Sequence, residues 1–231
     1  MMKINIGHFK RVTWFAGSAF LLLLTSVAAA SIEEGIAAVE QNDYMTAYKA
    51  FKVLAEEGSA EAQYNLAILY KQGKGAMQDA SVAVEWFRKA ADQGLASAQY
   101  YLGHLYDTGE GVKQDFVLAK DWYAKAAEQG NASAQSNLGV LYANGEGVQQ
   151  DIIKSYVWLS LAASQGLTAA LDNRNLLAKS MSPELLKNAT TISRDYFQRY
   201  VAPFSPQQNK LTNRGHPALP NAHQQSGAVS K

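Results

Sequence analysis

No cysteine occurs in the 231 residues, which excludes a disulfide framework, a thiolate zinc site and a cysteine nucleophile together. A charge of one sign is also missing. The 21 Lys and Arg nearly balance the 20 Asp and Glu, for a formal charge of +1, and no global field favours nucleic acid or an acidic surface. Three of the bases, Lys3, Lys10 and Arg11, lie in an N-terminal segment read below as removable. Taking them from the 21 leaves 18 against 20 acids, a charge of −2. Histidine is scarce: His8 near the N-terminus, His216 and His223 near the C-terminus, and His104 alone between them. A metal site needs several converging ligands, and one isolated histidine does not supply them. What is present, 48% hydrophobic and 18% charged residues, is the composition of a folded globular chain.

Residues 1–11 hold three bases and no acid, and Val12 to Ala30 carry no charge. The apolar centre from Trp14 to Leu24 gives way to Val27-Ala28-Ala29-Ala30-Ser31, an Ala-x-Ala pattern before Ser31. That order predicts a secretory signal peptide over 1–30 and a periplasmic or secreted product, with no stable membrane insertion after cleavage. The alternative is an uncleaved anchor, because an uncharged run of this length just spans a bilayer core of roughly 30 Å.

The remainder repeats. Ala62-Gln63-Tyr64-Asn65-Leu66 returns as Ala98-Gln99-Tyr100-Tyr101-Leu102 and as Ala134-Gln135-Ser136-Asn137-Leu138, a step of 36 residues. The same step relates Gly73/Gly75, Gly109/Gly111 and Gly145/Gly147, then Asp79, Asp115 and Asp151, then Trp86, Trp122 and Trp158. Within a unit, small and apolar residues at helical spacing predict a first helix closed by glycine in the left-handed conformation. An aspartate then caps a second helix whose Ala83, Trp86, Phe87 and Ala90 share a face. Such a pair buries both faces only by stacking on its neighbours, so the expected fold is an all-α right-handed solenoid with a concave side. The units fall at about 59–94, 95–130 and 131–166. A shortened leading half-unit occupies 32–58. A degenerate unit with a cap helix fills 167–202, where Arg174 takes the place of Leu66 and Ser182-Pro183-Glu184 opens the last helix. Residues 203–231, with four of the five prolines and no acid, read as a flexible tail. Each tryptophan is expected in the core, so Trp122→Ala should cost about 3–5 kcal/mol.

The run Ala98-x-x-x-Leu102-Gly103-x-x-Tyr106-x-x-Gly109-x-Gly111-Val112-x-x-Asp115, followed by Ala119-x-x-Trp122-x-x-x-Ala126-Ala127-x-x-Gly130, resembles the Sel1-like repeat, a relative of the tetratricopeptide repeat. It recurs nearly as well from Ala134, and from Ala62 with Ala67 and Ala76 where Gly and Val are usual. The Asn42-Asp43-Tyr44 half-unit and the Ser-Pro-Glu cap are similar to those of exported bacterial members. The resemblance implies an adaptor: a scaffold, a periplasmic regulator of envelope signalling, or a protein that contacts a host. Some cysteine-rich relatives are described as penicillin-binding or β-lactamase-like, and that enzyme reading is the alternative. Their disulfide per repeat has no counterpart here.

No chemistry competes with this. The Gly-x-Gly pairs follow helices and lack a Lys-Ser/Thr, so they fail as phosphate cradles. No serine has a base and an orienting third group suggested beside it. No enzyme activity and no cofactor are therefore expected, and a protein or peptide is the expected partner, with no nucleic acid. By analogy with the tetratricopeptide relative, whose groove is lined by first helices, the resemblance implies a candidate surface on the concave face of the first helices. There Tyr64, Ile68 and Lys71 are followed one unit on by Tyr100, His104 and Asp107. Ser136, Val140 and Ala143 continue the stripe, with Asn65, Tyr101 and Asn137 beside it. Tyrosine joins contact area to a hydrogen-bonding tip, which suits a peptide surface. The competing reading is that some of these tyrosines pack between helices.

Overall fold

Each second helix begins on an aspartate. In the computed structural model, which describes residues 32–205, Asp79, Asp115 and Asp151 are extended and accept hydrogen bonds from the first free amides of the helices that follow. The first helices end as the glycines require, with Gly73, Gly109 and Gly145 left-handed at φ 66°, 75° and 76°. These signals cut the chain into helices of one length. Residues 32–40 form α1, followed by α2 (Tyr44–Glu56), α3 (Ala60–Gln72), α4 (Ala80–Asp92), α5 (Ala96–Thr108), α6 (Phe116–Glu128), α7 (Ala132–Asn144), α8 (Ile152–Ser164), α9 (Thr168–Ser180) and α10 (Pro183–Tyr200). No strand occurs among the described residues. Consecutive helices pack as antiparallel pairs, and the pairs stack into a right-handed α-solenoid, as the sequence predicts.

Successive units meet backbone to backbone. The second loop glycines, Gly75, Gly111 and Gly147, are also left-handed, and each presses on the first residue of the second helix before it. A Cβ on Gly111 would stand 2.5 Å from the carbonyl carbon and oxygen of Ala80. On Gly75 and Gly147 it would overlap the carbonyl groups of Tyr44 and Phe116. Only glycine meets both demands, the sign of φ and the absent side chain. A glutamine ladder reinforces the seam. Buried Gln63, Gln99 and Gln135 donate to the carbonyls of Ala55, Ala91 and Ala127 at 3.0–3.2 Å. Their own side-chain oxygens accept from Gln93, Gln129 and Gln165, the residues that cap the ends of the next helices, each at 2.8 Å. The ladder thus gives a second donor to helix-end carbonyls that already accept from the amides of Gly58, Gly94 and Gly130.

The tryptophans depart from expectation. Trp86 and Trp122 are only half-buried, each roofed by a lysine three residues on, with Lys89 Nζ 3.7 Å and Lys125 Nζ 3.8 Å from the ring centre. The third unit has Leu161 at the lysine position, and there Trp158 is buried, against the rings of Tyr196 and Tyr200 of α10 at 5.5 and 5.6 Å. The cap helix therefore does not continue the array beyond α9 but folds back along α8 and touches α6. A 3-10 turn, Ala202–Phe204, carries it past the expected boundary at 202, and the Phe204 ring lies against Gly130. Pro183 stands 36 residues after Gly147, and its ring fixes φ near −65°, so the glycine seat cannot form a fourth time. The expected signal segment and most of the expected tail lie outside the described residues.

Gly111→Ala should lower stability by about 2–5 kcal/mol, combining the left-handed penalty with overpacking. Gly166 is left-handed at φ 92° but has nothing within 4 Å of a Cβ, so Gly166→Ala should cost only about 1–2 kcal/mol. Denaturant unfolding of the two variants makes the comparison. By the same measurement Trp158→Ala should cost about 3–5 kcal/mol and half-buried Trp122→Ala clearly less.

Candidate functional site on the first helices

The first helices α3, α5 and α7 carry the residues singled out in the sequence, and the stacking of units divides those residues into two groups. One group forms the seam. Tyr64 and Tyr101 each keep 6% of their surface exposed. Tyr64 meets Phe87 and Tyr101 edge-on at 5.8 and 5.7 Å, and Tyr101 stacks flat on Phe87 at 5.1 Å. Tyr100, half-buried, continues the row to Tyr101 at 5.3 Å and Tyr123 at 6.0 Å. These rings bridge consecutive units. For Tyr64 and Tyr101 the structure shows packing between helices, and it leaves neither phenol ring open to a partner's side chain.

A polar cluster forms around Tyr123, the residue after Trp122 on α6. Its ring is buried and its hydroxyl donates to Asp107 Oδ2 at 3.0 Å while accepting from Asn137 Nδ2 at 2.9 Å. Asp107 and Asn137, named separately from the sequence, are thus joined through a third residue on α6. The room for Tyr123 comes from Gly103, where a Cβ would stand 2.8 Å from the ring. Lys71 is engaged as well: its ammonium pairs with Glu110 at 2.5 Å, tying α3 to the loop after α5. Buried Asn65 has a side-chain oxygen without a donor. In the 36-residue register it corresponds to Asn137, but the position of Tyr123 is held there by Phe51, which has no hydroxyl to offer.

The other group faces outward from that frame. Ile68, His104 and Val140 occupy one position of the repeat, on α3, α5 and α7 in turn, and all three are half-buried. Ile68 rests on the core, and His104 stands beside Tyr100 at 6.4 Å between ring centres. Ala143 ends the stripe half-buried, while Ser136 is buried. Among the described residues no group of His, Asp and Glu could hold a metal ion. The arrangement offers contact area and hydrogen bonds rather than an assembled nucleophile and base.

Burial governs the electrostatics. It pushes the Tyr123 phenol well above its ordinary value, with the Asp107 carboxylate adding to the shift. Burial, then Tyr101 alongside, does the same to Tyr64. Tyr100 and Tyr101 are also raised, chiefly by burial. On the neighbouring seam Tyr70 is pushed up to about 12, first by its hydrogen bond with Tyr48, 2.9 Å away. All these phenols stay protonated at neutral pH.

The comparisons bear on this geometry directly. The Sel1 repeat model matches residues 60–95, 96–131 and 132–167. Three stretches of the chain are thus each similar to a Sel1 repeat. Their phase differs by one residue from the units read in the sequence, and each matched unit runs from the start of a first helix to the turn after its second. A Sel1 repeat protein of Oxalobacter formigenes is 33% identical with a TM-score of 0.60, over 63% of this chain and 60% of that one. A protective antigen of uropathogenic Escherichia coli with an SLR fold is 29% identical with a TM-score of 0.56, over 84% of this chain and 50% of that one. The chain thus spans about half to three-fifths of the length of these relatives. No curated protein matches it.

The tyrosine network sets an alkaline limit. An unfolded tyrosine loses its proton near pH 10, while the folded chain holds these protons higher. Above about pH 10 the unfolded state therefore binds fewer protons, and stability must fall as pH rises. Tyr123→Phe should flatten that fall and cost about 1–2 kcal/mol at neutral pH by unpairing Asp107 and Asn137. Denaturant unfolding at a series of pH values, with tyrosinate absorbance followed in parallel, measures both effects.

Proposed function

We propose that the chain is a non-catalytic adaptor that holds a segment of a partner protein along the first-helix face. The observation that carries this reading is the row Ile68, His104, Val140. These residues stand at one repeat position, differ from unit to unit, and remain half-buried on a frame fixed by the tyrosine seam. A position that stacking required to be the same would repeat its residue, as Leu66, Leu102 and Leu138 do. Sel1 repeats generally mediate protein interactions, and a mixed apolar and imidazole row suits an extended or helical peptide with apolar anchors. Within that face Tyr100 supplies an aromatic edge, and Lys71, Asp107 and Asn137 serve mainly to fix the frame.

The place of action follows from the N-terminal sequence. The three bases, the uncharged run from Val12 to Ala30 and the Ala-x-Ala pattern before Ser31 support export to the periplasm or beyond. An adaptor there would act on an envelope protein, and regulation of envelope signalling is the reading we favour. No helix among the described residues is long and apolar enough to cross a membrane.

Crosslinking in the native cells tests the binding face. Val140→Arg and His104→Ala, each on a half-buried side chain, should leave helix content unchanged and reduce capture of a specific partner at least tenfold. Retention of that partner by both variants would move the interface off the first helices.

A further inference from the structure

The cap helix leaves a cleft at the end of the array. Because α10 folds back over α8 and α6, it does not occupy the place that a second helix of a fourth unit would take beside α9. Between α8, α9 and α10 remains an open cavity of about 280 Å3, whose walls include Tyr156, Ser160, Arg174, Ser193, Arg194 and Phe197. Arg174 is the telling residue. It occupies the repeat position of Leu66, Leu102 and Leu138, which are completely buried, and here that position lines the cavity instead of the core.

The cleft holds two guanidinium groups and no carboxylate. Among the described residues Arg174 donates only to the neutral side-chain oxygen of Asn175, at 2.9 and 3.3 Å. Neither arginine enters an ion pair among the described residues. The hydroxyls of Ser160, Ser164, Thr190 and Ser193 donate to carbonyls of their own helices. A hydroxyl bonds a charged acceptor more strongly than a neutral carbonyl, so these hydroxyls can turn towards an anion with a net gain. Phe197 and Tyr156 give the cavity an apolar wall. Cationic forks, turnable hydroxyls and an aromatic wall within one small concavity are complementary to a carboxylate carried on an apolar body.

We propose that this cleft binds a small organic carboxylate, with Arg174 and Arg194 holding the carboxylate and Phe197 covering its apolar part. The ligand is about the size of a single blocked amino acid, and its site is separate from the first-helix face.

Calorimetric titration of the full chain with N-acetyl-L-phenylalanine, its uncharged amide and inorganic phosphate tests this. The acid should bind saturably, at least tenfold tighter than either of the others. Arg174→Leu, which restores the residue of the other units, should weaken the acid tenfold or more while circular dichroism and the unfolding midpoint show an intact fold. Arg194→Gln, on an exposed side chain, should weaken it in the same direction. Equal binding of acid and amide, phosphate as tight as the acid, unchanged affinity in both variants, or no saturable binding would each overturn the proposal.

Discussion

The contact of a loop backbone with the start of an earlier helix sets the geometry of this protein. Gly75, Gly111 and Gly147 each seat on the first residue of the second helix one unit back, with no room for a Cβ. A contact between main chains has no side chain to adjust, so it fixes the spacing and rotation from one unit to the next. Once that spacing is fixed, Tyr64 reaches Phe87 and Tyr101, Tyr123 fits over Gly103, and the glutamines align into a ladder. The outward row at 68, 104 and 140 inherits its regularity from the same seat.

The interior of the seam is more polar than an aromatic stack requires. Glutamines close the carbonyl ends of second helices, and a tyrosine hydroxyl joins Asp107 to Asn137. Buried polar groups with complete partners favour one register over its neighbours, because a slip would leave them unpaired. Apolar packing between nearly identical helices discriminates registers less well. In a repeat protein, where each unit resembles the next, that discrimination matters more than the net stabilisation.

Much of this was legible in the sequence because the signals are local. Glycine after a helix, aspartate before one and a 36-residue step define the helices, their pairing and the stacking without reference to distant residues. The harder questions concerned direction. Tyr64 and Tyr101 recur at helical spacing, and periodicity alone does not separate a residue facing a groove from one wedged between units. The seam shows where they pack. Trp122 read as core because tryptophan is large and apolar, but Lys125, three residues on, covers one face and leaves the ring half-buried. The role of Tyr123 is not legible from local pattern, because its partners, Asp107 and Asn137, sit 16 and 14 residues away. Arg174 looked like decay of the pattern, and only the path of α10 shows that its position faces a cavity.

Pro183 gives the array a defined end. It stands where a fourth seating glycine would lie, and the same residue starts the helix that turns back to cover Trp158. Stopping and capping are thus encoded together, downstream of and independent from the units themselves. A chain built this way can gain or lose whole 36-residue modules by duplication or deletion upstream while its terminator still works, provided that the last unit presents the α6 and α8 surfaces. Array length, and with it the length of the outward row, is then free to vary without redesign of the end.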